Sequence, residues 1–252
     1  MMLRLALLLL ALALPASAEE VVAGLSQNRV AITSNFAGSE ILIFGAVKRQ
    51  TPPPDTEDLE VIITVSGPST PVTVRRKEKR ALIWVNTEAV DVDAAPSFYA
   101  VATTAPLAGS LRETEDLRHQ ITIPRAIRSV GAPMTIQDSE SFTDALIRIR
   151  TRNNLYQVLE DTVHLEEDTL FNTAIALPAN LTEGNYRTRI FLTRDGRVID
   201  KFETTIFVQK VGLERFVFLL SREQPLVYGL LSLLLAILAG WGASEVFRYL
   251  RS

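Results

Sequence analysis

Apolar residues recur every second position over much of the chain. Val30, Ile32 and Phe36 alternate with Arg29, Thr33 and Asn35, and Leu59, Val61, Ile63 and Val65 alternate around Glu60 and Thr64. A two-residue period sorts side chains onto opposite faces of a strand, so both stretches predict half-buried strands. The continuous apolar run from Ile41 to Val47 predicts a central strand, and Val72 to Arg76, Ala81 to Val85 and Phe98 to Thr103 predict shorter ones. Gly38, Pro52-Pro53-Pro54-Asp55 and Gly67-Pro68 mark loops between them. The clearest hairpin is late: Tyr186 to Thr193, a turn at Arg194-Asp195-Gly196-Arg197, then Val198 to Val208. Tyr186 follows a Pro178 to Glu183 loop and reads equally as the corner tyrosine of an immunoglobulin-like sandwich or as an ordinary strand residue.

The period changes between Ala108 and Asp161. Phe142, Leu146 and Ile149 fall on one helical face, with Ser139 or Ser141 as a candidate N-cap. The expected fold is therefore mainly β, with immunoglobulin-like β-sandwich architecture. Two arrangements fit: two small sandwich units joined by a helical linker, or one sandwich with a helical insertion. Residues 19–107 and 162–211 are the strand-rich regions, 108–161 the helical one, and 212–223 an interfacial juxtamembrane segment in which Leu213, Phe216, Val217, Leu219 and Leu220 mix with Glu214 and Arg215.

Both termini carry membrane signals. Arg4, an apolar run from Leu5 to Leu14, Pro15 and Ala16-Ser17-Ala18 form a secretory signal peptide over residues 1–18, so the mature chain is expected to begin at Glu19. From Gln224 to Ser244 there is no charged residue, and a helix over that length spans about 30 Å of hydrocarbon. Tyr228, Trp241 and Tyr249 stand where aromatic rings settle at headgroup level, with Arg248 and Arg251 just beyond. An exported N-terminus followed by a stop-transfer helix places residues 19–223 outside the cytoplasm and 245–252 inside it, although the Lys and Arg count of the flanks alone does not decide the orientation. No flexible stalk separates the last strand from the membrane, so the sandwich is expected to stand close to the headgroups.

Composition narrows the chemistry. The 252 residues hold 26 basic and 29 acidic side chains and no cysteine, which excludes thiol catalysis, disulfides and Cys-ligated zinc. Setting aside Arg4, Arg248, Arg251 and Glu245 leaves residues 19–223 with 23 basic against 28 acidic groups, a formal −5 that gives no steering towards nucleic acid. His119 and His164 are the only histidines and lack metal-ligand spacing, so no metal and no cofactor are expected. Asp55, Glu57, Asp58 and Glu60, and again Glu166, Glu167 and Asp168, read as solvated loop acids, with a carboxylate pair or a calcium site as the sharper alternative. Arg75-Arg76-Lys77-Glu78-Lys79-Arg80 is the one basic run, a charged strand end or a docking surface. Trp84, Phe98 and Tyr99 are expected mainly in the core, with a recognition patch as the alternative. Asn180-Leu181-Thr182 matches a glycosylation acceptor, which matters only in a eukaryotic secretory route. Within the apolar helix Ser232, Ala236, Gly240 and Ser244 recur every four residues and make a candidate transmembrane packing face.

Several segments together resemble one family: Trp84-Val85-Asn86, Pro96-Ser97-Phe98-Tyr99, Leu170-Phe171 before Leu177-Pro178, Gly184-Asn185-Tyr186, Asp195-Gly196, Pro225 with Tyr228-Gly229, and Gly240-Trp241. They resemble the uncharacterised putative transmembrane proteins of alphaproteobacteria, over nearly the whole mature chain. The resemblance implies a single-pass bacterial inner-membrane protein with a periplasmic body. It also implies a neighbourhood of sulfite-exporter-type permeases, which makes an integral membrane transporter a candidate partner beside the lipid bilayer. It supplies no active-site residues.

The expected function is that of a non-enzymatic, membrane-anchored periplasmic binding or scaffolding protein, accessory to an integral membrane transporter. The alternative is a carboxylate-dependent hydrolase, which needs Asp58 or Glu60 to meet Glu166 or Glu167 in a cleft. A solute-binding sensor is the weakest reading, because about eight residues follow the helix.

Overall fold

The computed structural model describes residues 19–33, 36–49, 58–129, 138–212, 217 and 220–250, the side chains of 245–250 excepted. The signal peptide, the Pro52 to Asp55 loop, Glu57, Arg251 and most of the juxtamembrane segment therefore lie outside the described residues. The chain divides into two units: a body of residues up to 30 and 37–208, and a second unit of residues 31–36 and 209–252.

Among the described residues twelve strands follow one another: β1 (Glu20–Leu25), β2 (Arg29–Ile32), β3 (Ser39–Lys48), β4 (Leu59–Ser66), β5 (Ser69–Arg80), β6 (Ile83–Pro96), β7 (Tyr99–Thr103), β8 (Tyr156–Leu159), β9 (His164–Glu166), β10 (Leu170–Leu177), β11 (Gly184–Arg194) and β12 (Arg197–Lys210). Between β7 and β8 run α1 (Leu107–Ser110), α2 (Glu113–His119), α3 (Ile123–Ala126) and α4 (Ser139–Arg152). One sheet has the order β1-β3-β10-β9, a second β2-β12-β11-β4-β7-β8, and β5 and β6 form a separate long ribbon. Both sheets mix early and late strands: β3 pairs antiparallel with β10, and β4 with β11. The architecture is thus one sandwich with a helical insertion rather than two units in series. The stretch read as helical also contributes β8, which lies parallel to β7 at the end of the larger sheet.

The smaller sheet follows the two-residue rule. Val21, Ile41, Ile43, Val47, Phe171, Ile175 and Leu177 are buried, while their neighbours face outward. Ile41 to Val47 lies in a central strand, as its apolar run predicts, with β3 between β1 and β10, but Leu42 and Phe44 stand on the open face. Between them and the interior, Gly45 admits no side chain: a Cβ there would lie 2.4 Å from Phe171 Cζ and 2.7 Å from the Val22 carbonyl oxygen.

The larger sheet departs from half-burial. Val61, Ile63 and Val65 of β4 are buried as expected, but so are Ile62 and Thr64, which point the opposite way. That second face carries its own core, built from Ile62, Tyr99, Val101, Tyr156 and Phe191 of the sheet. Val74, Val90 and Val92 of the ribbon cover it, together with Leu111, Ile121, Ile123, Ile127, Phe142 and Leu146 of the insertion. A strand covered on both sides reads as an unbroken apolar run, which is why β4 spells Val-Ile-Ile-Thr-Val. On α4 Phe142 and Leu146 are buried as expected, whereas Ile149 is half exposed and Ile147 packs against the core instead. A helix crossing its support obliquely changes the side it buries along its length.

Two hairpin turns repay comparison. Asp195 (φ 49°) and Gly196 (φ 70°) close β11 onto β12 with the left-handed pair a two-residue turn requires. Ala81 (φ 46°) and Leu82 (φ 72°) do the same between β5 and β6, so Ala81 and Leu82 are turn rather than strand. At the other end of β11 the Tyr186 hydroxyl donates to the Thr182 carbonyl at 2.7 Å, four residues upstream, which is the tyrosine-corner arrangement. Burial pushes the Tyr186 phenol above its usual pKa, so the ring stays a protonated donor. Tyr186→Phe leaves the Thr182 carbonyl without that donor. It is expected to lower stability by about 1 kcal/mol, read as a shift in denaturant midpoint of the detergent-solubilised full chain with the slope unchanged.

The second unit contains α5 (Pro225–Leu250), whose stretch Pro225–Ser244 has a mean hydropathy of 2.0 and is nowhere buried against protein. Its 20 residues correspond to about 30 Å of helix, long enough to cross a bilayer.

Candidate functional site

The open face of the smaller sheet is apolar at its centre. Strand alternation and register bring Val22 of β1, Ala46 of β3 and Leu170 of β10 into one cross-strand row, with Phe44 opposite Gly24 and Asn172 in the next, and Leu42 opposite Ala174 beyond it. Val22 (54%), Leu42 (44%), Phe44 (46%) and Leu170 (54%) are all substantially exposed. The Phe44 ring lies over Gly24, where a Cβ would sit 3.0 Å from Phe44 Cε2, so the missing side chain lets the ring lie flat along the sheet. Charged and polar side chains surround this centre: Glu20 and Lys48 pair at 3.5 Å, Glu40 stands at the far end of β3, and His164 and Glu166 of β9 register with Asn172 and Leu170. An apolar middle with a charged rim is the layout of a protein-docking surface. The exposure of Leu42 and Phe44 has no local signal in the sequence, because both lie inside the continuous apolar run of a central strand.

On the other side of the molecule a polar cleft of about 410 Å³ is lined by Pro68, Tyr99, Gln120, Arg187 and Arg189 among others. Arg189 is fully engaged in structure. Its guanidinium donates to the carbonyls of His119 (2.6 Å) and Gln120 (2.9 Å), to Thr64 Oγ1 (3.2 Å) and to the Tyr99 hydroxyl (3.0 Å). It thereby holds the C-terminal end of α2 to the sheet, where helix carbonyls lack partners and favour a cation. Tyr99 in turn donates to the Ile121 carbonyl at 2.8 Å, and burial raises its pKa. Tyr156, bonded to the Pro96 carbonyl at 2.9 Å, is pushed up by burial to about 12. Both phenols are anchored donors at neutral pH.

The sequence-level candidates separate. His119 ends α2, with Nε2 3.5 Å from Glu115 Oε2 and its ring edge-on to Phe191 at 5.5 Å, whereas His164 is exposed on β9 of the other sheet. Asp58 immediately precedes β4 of the larger sheet and Glu60 lies within it, whereas Glu166 ends β9 of the smaller sheet and Glu167 lies in the turn after it. No group of three or more metal-binding side chains occurs among the described residues. Phe98 and Tyr99 are in the core, but Trp84 is 68% exposed, contrary to expectation, because it stands on the ribbon past the surface the ribbon covers. Arg76, from the basic run, is drawn inward. It pairs with Glu88 (2.9 Å) and Asp138 (3.2 Å), donates to Ser141 (2.7 Å) and lies over the Phe142 ring. Ser232, Ala236, Gly240 and Ser244 lie along α5, where the Ser232 hydroxyl donates to the Tyr228 carbonyl at 2.8 Å.

Partial burial holds the His119 pKa below the ordinary 6.5; Glu115 opposes the shift and Lys201, Arg118 and Arg189 reinforce it. The native state therefore favours the neutral ring, and the unfolded chain takes up a proton first as pH falls. This contribution is complete above about pH 6.5 and is lost as pH falls towards the lower native value. His119→Gln is expected to flatten the decline in stability between neutral and mildly acidic pH, measured as the denaturant midpoint against pH.

No curated protein matches the chain. A family model does, over residues 20–249, from the first residue of β1 nearly to the end of α5. The match takes in the sandwich, the insertion and the apolar helix together, and the chain therefore belongs to the family described as Putative transmembrane protein (Alph_Pro_TM).

Proposed function

We propose that this is a membrane-anchored periplasmic binding or scaffolding protein whose sandwich docks an integral membrane protein, a transporter being the candidate of choice. The observation that carries the reading is the open face of the smaller sheet, with Val22, Leu42, Phe44 and Leu170 exposed inside a rim of charge. Exposed apolar surface costs solubility unless something covers it, and contiguous patches of this kind mark interaction sites. The tether supports a membrane-embedded partner: α5 confines the body to two dimensions near the bilayer, which raises the effective concentration of any neighbour in the same membrane. Within the bilayer, the stripe of Ser232, Ala236, Gly240 and Ser244 is the helix face assigned to close packing.

Two experiments test this reading. Protease added to intact spheroplasts is expected to digest the body and leave α5 as a protected fragment; a body cut only after lysis would reverse the orientation. A photo-crosslinking residue at position 44 is expected to capture an integral membrane protein in native membranes, and Phe44→Glu to abolish its co-purification with the body still folded. Retention of the same partner by Phe44→Glu would remove the sheet face as the docking surface.

A further inference from the structure

The β5–β6 ribbon is longer than the surface it covers. Val74, Val90 and Val92 pack on the larger sheet, and Arg76, which pairs with Glu88 across the ribbon, is the last residue of β5 pinned to the insertion, by Asp138, Ser141 and the Phe142 ring. The register shifts between Arg76 and Lys77, where an irregularity of this kind increases local twist. Past it, every residue from Lys77 to Trp84 is exposed. Four residues of strand at about 3.3 Å each carry the end of the ribbon about 13 Å beyond the pinned Arg76.

The projecting end has a layered chemistry. The Ala81-Leu82 turn holds both residues in the left-handed region, an uncommon conformation for a side chain as large as leucine, and sets Leu82 (86% exposed) and Ile83 (64%) at the apex. Trp84 comes next and registers with Lys79, while Arg80 registers with Ile83. Arg80 pairs with Glu78 at 3.7 Å, and Lys77, Lys79 and Arg80 against that single carboxylate give the tip a formal +2, on a chain whose formal net charge is −3. Ile83 and Arg80 therefore share the level next to the Leu82 turn, Trp84 and Lys79 share the next, and Lys77 stands behind, so apolar side chains and cations are interleaved as they are in segments that settle at the headgroup level of a bilayer.

We propose that the ribbon tip is a second membrane contact, placing Leu82, Ile83 and Trp84 in the headgroup region of an anionic bilayer with Lys77, Lys79 and Arg80 on lipid phosphates. The charge of the tip selects lipid over a protein groove, since one net positive charge near an anionic leaflet favours the bound state roughly fivefold and the net two of this tip roughly thirtyfold. The same chain is already held at a bilayer by α5, so the tip needs only to reach a surface that is always present. The inference rests on α5 spanning the membrane and is independent of what docks on the sheet face.

Trp84 is a built-in reporter, because Trp241 is the only other tryptophan. The full-length Trp241→Phe chain is reconstituted into phosphatidylcholine vesicles with or without phosphatidylglycerol, and resistance to alkaline extraction certifies that α5 has inserted. With phosphatidylglycerol present, Trp84 emission is expected to shift to the blue, to be quenched by lipids carrying a shallow spin label, and to lose access to aqueous acrylamide. Replacing Lys77, Lys79 and Arg80 by Gln is expected to restore acrylamide access, and high salt to do the same. An inserted chain whose Trp84 remains equally open to acrylamide in anionic vesicles overturns the proposal. Shielding in native membranes but not in pure lipid also overturns it, and assigns the tip to a protein partner.

Discussion

The structure depends on covering both faces of the six-stranded sheet. β4 sits inside it, between β11 and β7, with apolar side chains directed both ways. The smaller sheet packs on one face only. Ile62, Val101, Phe191 and the two tyrosines of the other face would meet water without the ribbon and the helical insertion. Each such side chain is worth about 1.5–3 kcal/mol when fully buried, so this second core is a substantial part of what holds the body together. The polar groups beneath it serve the same end. Arg189, Tyr99 and Asp116 join α2 and α3 to the sheet by taking up backbone groups at the reversal around Gln120, with the Asp116 carboxylate accepting from the Ile121 and Thr122 amides at 2.9 and 2.8 Å.

That requirement accounts for the two exposed features. The ribbon is present because the sheet needs a cover, but its strands run past the covered area, so its end escapes the core and carries chemistry of its own. The smaller sheet needs only one buried face, so its other face is unconstrained by packing. Soluble antiparallel sheets commonly place polar residues there. Here β1, β3 and β10 place Val22, Leu42, Phe44 and Leu170 instead, a choice that folding does not demand.

The apolar helix obeys a different solvent. In the body, apolar residues are patterned so that one face meets protein; in α5 they surround the axis, the composition that suits a helix to hydrocarbon on every side, where the backbone must satisfy itself within the helix. The family match spans both parts, so the sandwich and the helix form a single inherited arrangement.

Local physics was legible in the sequence. The Asp195-Gly196 turn, the alternation along β12, the helix carrying Phe142 and Leu146 and the span from Pro225 to Ser244 follow from turn chemistry, period and length, which a short stretch of chain fixes by itself. What lay beyond it was which strands share a sheet and what covers them. The pairing of β3 with β10 and β4 with β11 decided between one sandwich and two, and no local signal encodes contacts made across more than a hundred residues. Burial followed the same division: Trp84 and Phe44 are apolar in any reading, but only the place where the ribbon outruns the sheet, and the side of β3 left open, put them in water. Hydrophobicity is a property of the residue, whereas exposure is a property of its neighbours, and the neighbours are chosen by the fold.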